Sequence, residues 1–198
     1  MVKSPQMGRR ILYLIRHGQY NTHYAPDELG GSLTPLGIIQ AQHIAQRLKD
    51  LPVSTIHHST LRRATETAHI ISEALPQVPL APSDLIWENV PSVPPQYADS
   101  FANLSPQELK ALSRRGDRAF RHYFKPAKKG DCLELMVCHG NLIRQFMCRT
   151  LRVPVKAWAN ADIHNCGLTE VRIEPGGRTL LVSHNDTGHL PMELKTLM

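Results

Sequence analysis

The stretch Ile11-Leu12-Tyr13-Leu14-Ile15-Arg16-His17-Gly18 determines the fold that we predict for this chain. Its five consecutive apolar residues, β-branched at both ends, are typical of a parallel strand that is buried on both faces of a sheet. Ligands of open α/β sheets bind beyond the carboxyl ends of the strands. An arginine and a histidine at that point, followed by a glycine that permits a close backbone turn, predict a site for an anion such as a phosphate.

The composition indicates an ordinary globular protein. The chain has 198 residues, of which 41% are hydrophobic and 20% charged, and this suits one domain with a sizeable core. No run of about 20 apolar residues is present, and residues 1–10 lack the apolar run of a secretory signal, so we expect a cytosolic chain. We expect residues 1–9 to be a flexible N-terminus and residues 10–198 to form the domain.

The net charge of +6 favours anionic partners. We find no dense run of Lys and Arg interleaved with aromatic residues, so we expect no nucleic-acid partner. The charge fits a phosphorylated substrate at least as well as it fits a nucleic acid. The four cysteines lack C-x-x-C spacing and the histidines lack metal-ligand spacings. We therefore expect no disulfide, no bound metal and no cofactor.

Strand and helix signals alternate along the chain and predict an α/β fold. Thr34-Pro35 and Ser105-Pro106 are helix starts, each with an N-cap residue and a proline at the first helical position. The predicted strands lie at about 11–15, 53–58, 85–87 and 133–138, and a hairpin is predicted at 167–173 and 178–184. The predicted helices lie at about 34–50, 59–75, 105 to 120 or 124, and 140–151. We expect a single three-layer domain, with a mostly parallel central sheet, an antiparallel edge and helices on both faces.

Three of the predicted strand-to-helix junctions carry reactive polar residues. They are Arg16-His17, the segment from Ser59 to Arg63, and His139. Parallel strands bring such junctions to one edge of a sheet, so two arginines and two histidines should face one pocket. The arginines can supply the positive charge that a phosphoryl group requires, and a metal is therefore not needed.

Four motifs accompany these junctions. They are Arg16-His17-Gly18, Leu33-Thr34-Pro35-Leu36-Gly37 with Gln40-Ala41, Ser59-x-Leu61-x-Arg63-Ala64-x-x-Thr67-Ala68, and His139-Gly140. Together they resemble the histidine phosphatase superfamily, also called phosphoglycerate-mutase-like, from about residue 10 to the end of the chain. Within it, Gln19-Tyr20, Ile143-Arg144 and Asp186-Thr187-Gly188 most resemble the mitochondrial phosphoglycerate-mutase-like Ser/Thr protein phosphatases. The resemblance implies a phosphoglycerate-mutase-like fold.

The resemblance also implies a role for each junction residue. His17 matches the nucleophile that becomes phosphorylated. The family's residues that hold the phosphoryl oxygens match Arg16, Arg63 and His139. The chemistry of the residues agrees, because nearby guanidinium groups disfavour a protonated imidazole and also stabilise the charge of a transferring phosphoryl group.

A carboxylate is expected to protonate the leaving group. Glu88 resembles the acid/base residue of the family, with Asp84 as the competing candidate and an exposed, inactive Glu88 as the alternative. A partly desolvated glutamate beside a phosphate dianion can hold a proton near neutral pH, which is what a general acid needs.

We therefore expect a metal-independent phosphatase that hydrolyses phosphomonoesters through a phosphohistidine on His17. Only a short proline-rich stretch follows Glu88, and the resulting open pocket favours phosphoserine or phosphothreonine of a protein over the small substrate of a mutase. The alternatives are a protein phosphohistidine, a small phosphate ester, or a non-catalytic phosphate-binding adaptor on the same fold. We expect no membrane partner, because residues 1–10 hold no counterpart of the relatives' membrane anchor, and a homodimer is the candidate assembly.

Overall fold

A computed structural model describes residues 7–23 and 27–197. The strands are β1 (Arg10–Arg16), β2 (Val53–Ser59), β3 (Leu80–Ser83), β4 (Cys132–Cys138), β5 (Leu168–Ile173) and β6 (Thr179–Asp186). The α-helices are α1 (Pro35–Leu48), α2 (Arg62–Glu73), α3 (Pro106–Tyr123) and α4 (Gly140–Leu151). Short 3₁₀ segments lie at Asp84–Ile86, Pro95–Tyr97, Asp99–Phe101, Val155–Asn160 and Met192–Leu194.

The strand order places the two motif-bearing strands β1 and β4 side by side. The described strands form one sheet in the order β3-β2-β4-β1-β5-β6. Neighbours among β1 to β4 run parallel, whereas β5 is antiparallel to β1 and β6 to β5. Arg16 at the end of β1 pairs with Cys138 at the end of β4, so the residues that follow both strands emerge at the same edge. The predicted mostly parallel sheet with an antiparallel edge is confirmed.

Helices cover both faces of the sheet, which explains the apolar run of β1. Leu12 and Leu14 lie in the core on the α3/α4 face, and Ile15 lies in the core on the α1/α2 face. On β4, Val137 and Met136 likewise belong to opposite cores. A strand that is covered on both faces has no solvated side to carry polar residues, so the three-layer prediction is confirmed.

The helices α1 and α3 begin at the N-cap residues that the sequence predicts. Thr34 Oγ1 accepts a hydrogen bond from the backbone N–H of Gly37 at 3.0 Å at the start of α1. At α3, Ser105 and Glu108 form the reciprocal capping box that their spacing predicts. Each cap satisfies backbone donors that the first helical turn leaves unpaired.

The strand predicted at 85–87 is wrong. The edge strand is β3, and residues 84–86 form a 3₁₀ turn. Ser83 Oγ accepts from the backbone N–H of Leu85 at 3.3 Å and turns the chain out of the sheet. Pro82 is tolerated in β3 because an edge strand has a side on which no N–H donor is required.

The N-terminal prediction falls partly outside the described residues. Residues 1–6 of the segment expected to be flexible are not described. Gly8 pairs with Ala127 through two backbone hydrogen bonds of 2.9 and 3.0 Å. Among the described residues we find no helix with the length and hydrophobicity needed to cross a membrane, and the four cysteines are free thiols.

Candidate active site

The three polar junctions converge at one edge of the sheet. His17 follows β1, Arg63 lies in the first turn of α2, and His139 is the N-cap residue of α4. The backbone N–H of His17 donates to the carbonyl oxygen of Cys138 at 3.0 Å, and the ring centroids of His17 and His139 are 5.2 Å apart. Arg63 Nε lies 3.0 Å from His17 Nε2. The junction residues predicted to meet are therefore in contact.

The hydrogen bonds of His17 define which ring nitrogen carries the hydrogen. An arginine side chain only donates hydrogen bonds, so His17 Nε2 accepts from Arg63. The other nitrogen, Nδ1, then carries the hydrogen and donates to the carbonyl oxygen of Gly18 at 2.8 Å. His17 therefore has an unprotonated Nε2, the form of imidazole that can act as a nucleophile.

The surroundings of His17 keep its imidazole neutral. Burial lowers the pKa of His17 well below 6.5, and the guanidinium groups of Arg63 and Arg16 lower it further, against the weaker opposite effect of the Gly18 carbonyl. His139 is completely buried, and the same burial, followed by the charges around it, lowers its pKa well below 6.5. Two neutral histidines thus share the site.

These two histidines should make the fold sensitive to acid. The unfolded chain protonates them near pH 6.5 and the folded chain does not, so stability falls as the pH falls below 6.5. Each contributes up to about 1.4 kcal/mol per pH unit until its lowered pKa is reached. The free energy of unfolding is measured with urea at about pH 7.5 and about pH 5.5, in wild type and in His139→Gln. It should fall between these pH values in both proteins, and the fall should be about 1 kcal/mol smaller in the variant. Equal falls in wild type and variant would contradict a neutral, buried His139.

Ser59 orients His139. Ser59 Oγ accepts a hydrogen bond from the backbone N–H of Leu61 at 3.2 Å and lies 2.8 Å from His139 Nε2. When the Ser59 hydroxyl donates to Nε2, the hydrogen of the neutral His139 ring resides on Nδ1. That Nδ1 is buried and has no hydrogen-bond partner among the described residues, so it is available as a donor.

Arg16 is fixed by two carbonyl groups from the C-terminal part of the chain. Its Nη1 donates to the carbonyl oxygens of Ile163 at 2.6 Å and Leu197 at 2.5 Å. Its Nε is buried without a hydrogen-bond partner in the described part of the chain. Because the guanidinium is held in place, this N–H is a fixed donor for an anion.

The loop that carries His17 passes very close to α1. A Cβ on Gly18 would lie 2.5 Å from the carbonyl oxygen of Gly37, and one on Gly37 would lie 1.9 Å from that of Gln19. The backbone N–H of Gln19 donates to Gln40 Oε1 at 2.8 Å, and that of Gly18 donates to Thr67 Oγ1 at 3.1 Å. These members of the second and third motifs therefore shape the loop that positions the histidine.

Of the two candidate carboxylates, Glu88 is the one at the site. It lines a cavity together with Arg16, and burial raises its pKa above 4.5 although Arg63 and Arg16 oppose the shift. Asp84 is exposed, accepts a hydrogen bond from Thr60 and lies outside the wall of that cavity.

Hydrogen bonds from α3 and α4 fix the segment that carries Glu88. Arg115 of α3 donates to the backbone carbonyl oxygen of Glu88. The backbone N–H of Asn89 donates to Glu88 Oε1 at 3.1 Å, and the Asn89 side chain donates to Gln145 of α4. Asn141 donates to the Asn89 carbonyl at 3.1 Å. Glu88 is therefore held by two helices although it lies in an irregular segment.

A cavity of about 360 Å³ opens beside Arg16 and Glu88. Aromatic side chains form much of its wall: Tyr20, Tyr97, Phe101 and Trp158. The Arg144 guanidinium lies 4.6 Å from the ring centroid of Trp158, and Tyr97 stacks on the same ring. The motifs include Tyr20 and Arg144, but no local signal in the sequence marks the other three aromatic residues, which lie in short 3₁₀ segments away from the motifs.

Arg62, which precedes Arg63, is not among the residues that line the cavity. Its guanidinium pairs with Asp27, and its Nε donates to the carbonyl oxygen of Gly30 at 3.1 Å. Only Arg63 of this pair reaches His17. In the described part of the chain, no group of three or more His, Cys, Asp or Glu side chains is arranged to hold a metal ion.

Comparisons with known proteins agree with this architecture. Residues 12–187 match the family model described as histidine phosphatase superfamily, branch 1. A phosphoglycerate mutase from Plasmodium falciparum superposes with a TM-score of 0.63 at 28% identity, covering 93% of this chain and 96% of its own. A phosphoserine phosphatase from Entamoeba histolytica superposes with a TM-score of 0.69 at 21% identity, covering 92% and 100%. The phosphoglycerate-mutase-like fold is confirmed.

Curated relatives are more similar in sequence. The mitochondrial serine/threonine-protein phosphatase Pgam5 of Caenorhabditis elegans is 39% identical over 92% of this chain and 64% of the relative. The Homo sapiens protein of the same name is 35% identical over 92% of this chain and 64% of the relative. The chain thus spans somewhat less than two thirds of the relatives' length.

The names of these relatives contradict the cytosolic location expected from the sequence, because they are mitochondrial proteins. That expectation was wrong for a physical reason. It rested on the lack of an apolar secretory signal in residues 1–10, and mitochondrial targeting segments are amphipathic and Arg-rich instead.

Proposed function

The chain belongs to branch 1 of the histidine phosphatase superfamily, and from this we propose that it is a phosphoric monoester hydrolase that works through a phosphohistidine on His17. The hydrogen bond from Arg63 Nε to His17 Nε2 is the observation that carries the proposal. It places an unprotonated ring nitrogen beside a cation, and an incoming phosphoryl group can take over that contact with the cation.

The phosphoryl group would be held by donors that already converge on the site. Arg63 and Arg16 supply two guanidinium groups, and His139 supplies its unpaired Nδ1–H. These donors stabilise negative charge on the equatorial oxygens during in-line transfer. Hydrogen bonds already fix Arg16 and His139, whereas Arg63 exchanges its contact with His17 for one with the phosphoryl group.

The reaction then has two steps that share one carboxyl group. In the first, His17 Nε2 forms a bond to phosphorus as the bond to the ester oxygen breaks, and Glu88 gives its proton to the leaving alkoxide. In the second, Glu88 takes a proton from a water that attacks phosphorus, and the P–N bond breaks. Burial supports both roles, since it raises the pKa of Glu88 and lowers that of His17.

The substrate that we propose is phosphoserine or phosphothreonine on a protein. The related Pgam5 proteins are named serine/threonine-protein phosphatases, and the cavity beside Glu88 is open enough for a bulky leaving group. Because the names of the same relatives describe them as mitochondrial, we propose that the protein acts in mitochondria. The homodimer expected from the sequence stays a prediction that its mass in solution tests.

Hydrolysis of para-nitrophenyl phosphate and of phosphoserine peptides should be unaffected by a metal chelator. Arg16 and Arg63 provide the positive charge that a divalent cation provides in other phosphatases. The measurement is the steady-state rate before and after treatment with EDTA. Loss of activity that an added divalent cation restores would overturn the arginine-based account.

A further inference from the structure

The outer face of α3 and the segment that follows it carry exposed cations that the proposed chemistry does not use. Between residues 106 and 129 the exposed cationic side chains are Lys110, Arg114, Arg118, Arg121, Lys125, Lys128 and Lys129. The first four recur at three- and four-residue spacing, so they lie on one side of the helix. We name these seven residues the basic face.

The basic face has a single sign of charge. None of its members forms an ion pair with a described residue. The three acidic side chains between residues 106 and 131 are bonded elsewhere: Glu108 to its own helix cap, Asp117 to Arg149, and Asp131 to Arg9. Residues 106–131 contain eight Lys and Arg and three Asp and Glu, so this segment carries a formal net charge of +5 out of the +6 of the whole chain.

The helix that carries the basic face also borders the active site. Its inner side holds Arg115, which donates to the Glu88 carbonyl oxygen, and Phe101 of the cavity wall lies just before its N-cap. The cations at 114 and 118 lie one residue before and three residues after Arg115, within one helical turn of the side chain that contacts the Glu88 backbone. A chain that leaves the cavity can reach them within a few residues.

The chemistry of the basic face favours an acidic polypeptide as its occupant. None of the exposed large apolar side chains in the described residues lies between 106 and 129, so the face has nothing to insert into a bilayer or to stack on bases. Residues 110 to 121 span roughly 17 Å along the helix. An extended peptide of about five residues covers that length and can place carboxylates against the row.

We infer that the basic face is a docking surface for an acidic segment of the phosphorylated protein substrate, next to the phosphoserine or phosphothreonine that enters the cavity. The inference rests on the proposed function and adds the substrate class, acidic phosphoproteins. Complementary charge on an exposed surface acts mainly on association, so its effect should fall with added salt.

The test compares two triple variants that remove the same number of positive charges. Lys110→Glu/Arg114→Glu/Arg118→Glu changes the basic face, and Lys49→Glu/Lys156→Glu/Arg178→Glu changes exposed cations elsewhere. The probes are a fluorescent phosphoserine peptide with several Asp and Glu residues and the same peptide with Asn and Gln in their place. Binding is measured by fluorescence anisotropy at low and high salt. The ratio kcat/KM is measured in parallel with para-nitrophenyl phosphate as the substrate.

We expect wild type and the control triple to bind the acidic peptide about tenfold more tightly than the neutral one at low salt, and the basic-face triple to lose this preference. Hydrolysis of para-nitrophenyl phosphate should be equally fast in all three proteins. Equal peptide binding by the two triples would overturn the docking surface. Binding of phosphatidylserine vesicles or of a polynucleotide that depends on the basic face, without any preference for the acidic peptide, would overturn it as well.

The binding readout keeps this inference separate from the catalytic proposal. If para-nitrophenyl phosphate is not hydrolysed by wild type, the proposed function fails, while anisotropy still decides whether the basic face binds acidic peptide. Circular dichroism checks that the triples are folded. The triple variant Lys110→Gln/Arg114→Gln/Arg118→Gln should lose about half as much of the preference for the acidic peptide, because it removes the charges without reversing them.

Discussion

Replacing His17 with alanine is expected to reduce phosphomonoester turnover at least about 10⁴-fold, because no other group can form the covalent intermediate. His17 Nε2 is unprotonated, contacts Arg63, and lies where the three junctions meet. Arg16 and His139, which would hold the phosphoryl group, keep their own hydrogen bonds in this variant. Phosphate should therefore still bind, and the loss should appear in kcat. Steady-state kinetics with para-nitrophenyl phosphate measures both effects.

A burial-matched control separates chemistry from folding. His58 is 4% exposed and His17 is 2% exposed, and His58 lies on the neighbouring strand β2 without contacting the Arg63 guanidinium in any described hydrogen bond. His58→Ala should lose stability and keep most of the activity per folded molecule. Turnover by His17→Ala comparable to that of His58→Ala would mean that the strand-end histidine is not the nucleophile.

Replacing Glu88 with glutamine is expected to give the second-largest loss, and the loss should depend on the leaving group. An alkyl phosphate such as phosphoserine needs a proton on its leaving oxygen, so its turnover should fall by about 10²- to 10⁴-fold. The para-nitrophenolate ion leaves without that proton, so the first step should remain fast with para-nitrophenyl phosphate. The second step should slow, because the carboxylate that activates water is absent. Stopped-flow measurement should show a burst of para-nitrophenol followed by a slow steady state.

Asp84→Asn is the matched control for Glu88→Gln. Asp84 belongs to the same segment but is exposed and bonded to Thr60, outside the cavity. Its loss should leave phosphoserine turnover within a few fold of wild type. Unchanged phosphoserine turnover in Glu88→Gln, or a large loss in Asp84→Asn, would remove the acid/base assignment of Glu88.

The central part of the fold was predictable because the residue types of these elements directly reflect their burial and their helix starts. The apolar runs of β1 and β4 are covered on both faces, and the proline-marked starts of α1 and α3 carry side-chain caps. The edge of the sheet was harder to predict. Residues 85–87 have the composition of a strand, but β3 ends before them. Its pairing with β2 stops at Ser83, whose side chain accepts from the backbone N–H of Leu85 and starts a 3₁₀ turn.

The site was predictable where one residue type at one strand end determines the chemistry, as at His17 and His139. It was not predictable where residues meet only through tertiary packing. The contacts of Arg16 with Ile163 and Leu197 join residues about 150 positions or more apart in sequence, and periodicity carries no information about them. The same holds for Tyr97 and Trp158, which become neighbours only in the cavity wall. The helical spacing of the cations on α3 is visible in the sequence. That these cations form an exposed surface follows only from knowing which side of the helix faces solvent.

The central claim is that the phosphoryl group is transferred to His17. The most direct test uses Glu88→Gln with para-nitrophenyl phosphate, because this pair should accumulate the covalent intermediate. The reaction is quenched in alkali, in which a phosphohistidine survives, and the digested protein is analysed by mass spectrometry. The account predicts one phosphoryl group per molecule, located on His17, stable to alkali and lost in acid. A burst of product without phosphorylated His17, or a phosphoryl group on any other residue, would contradict it.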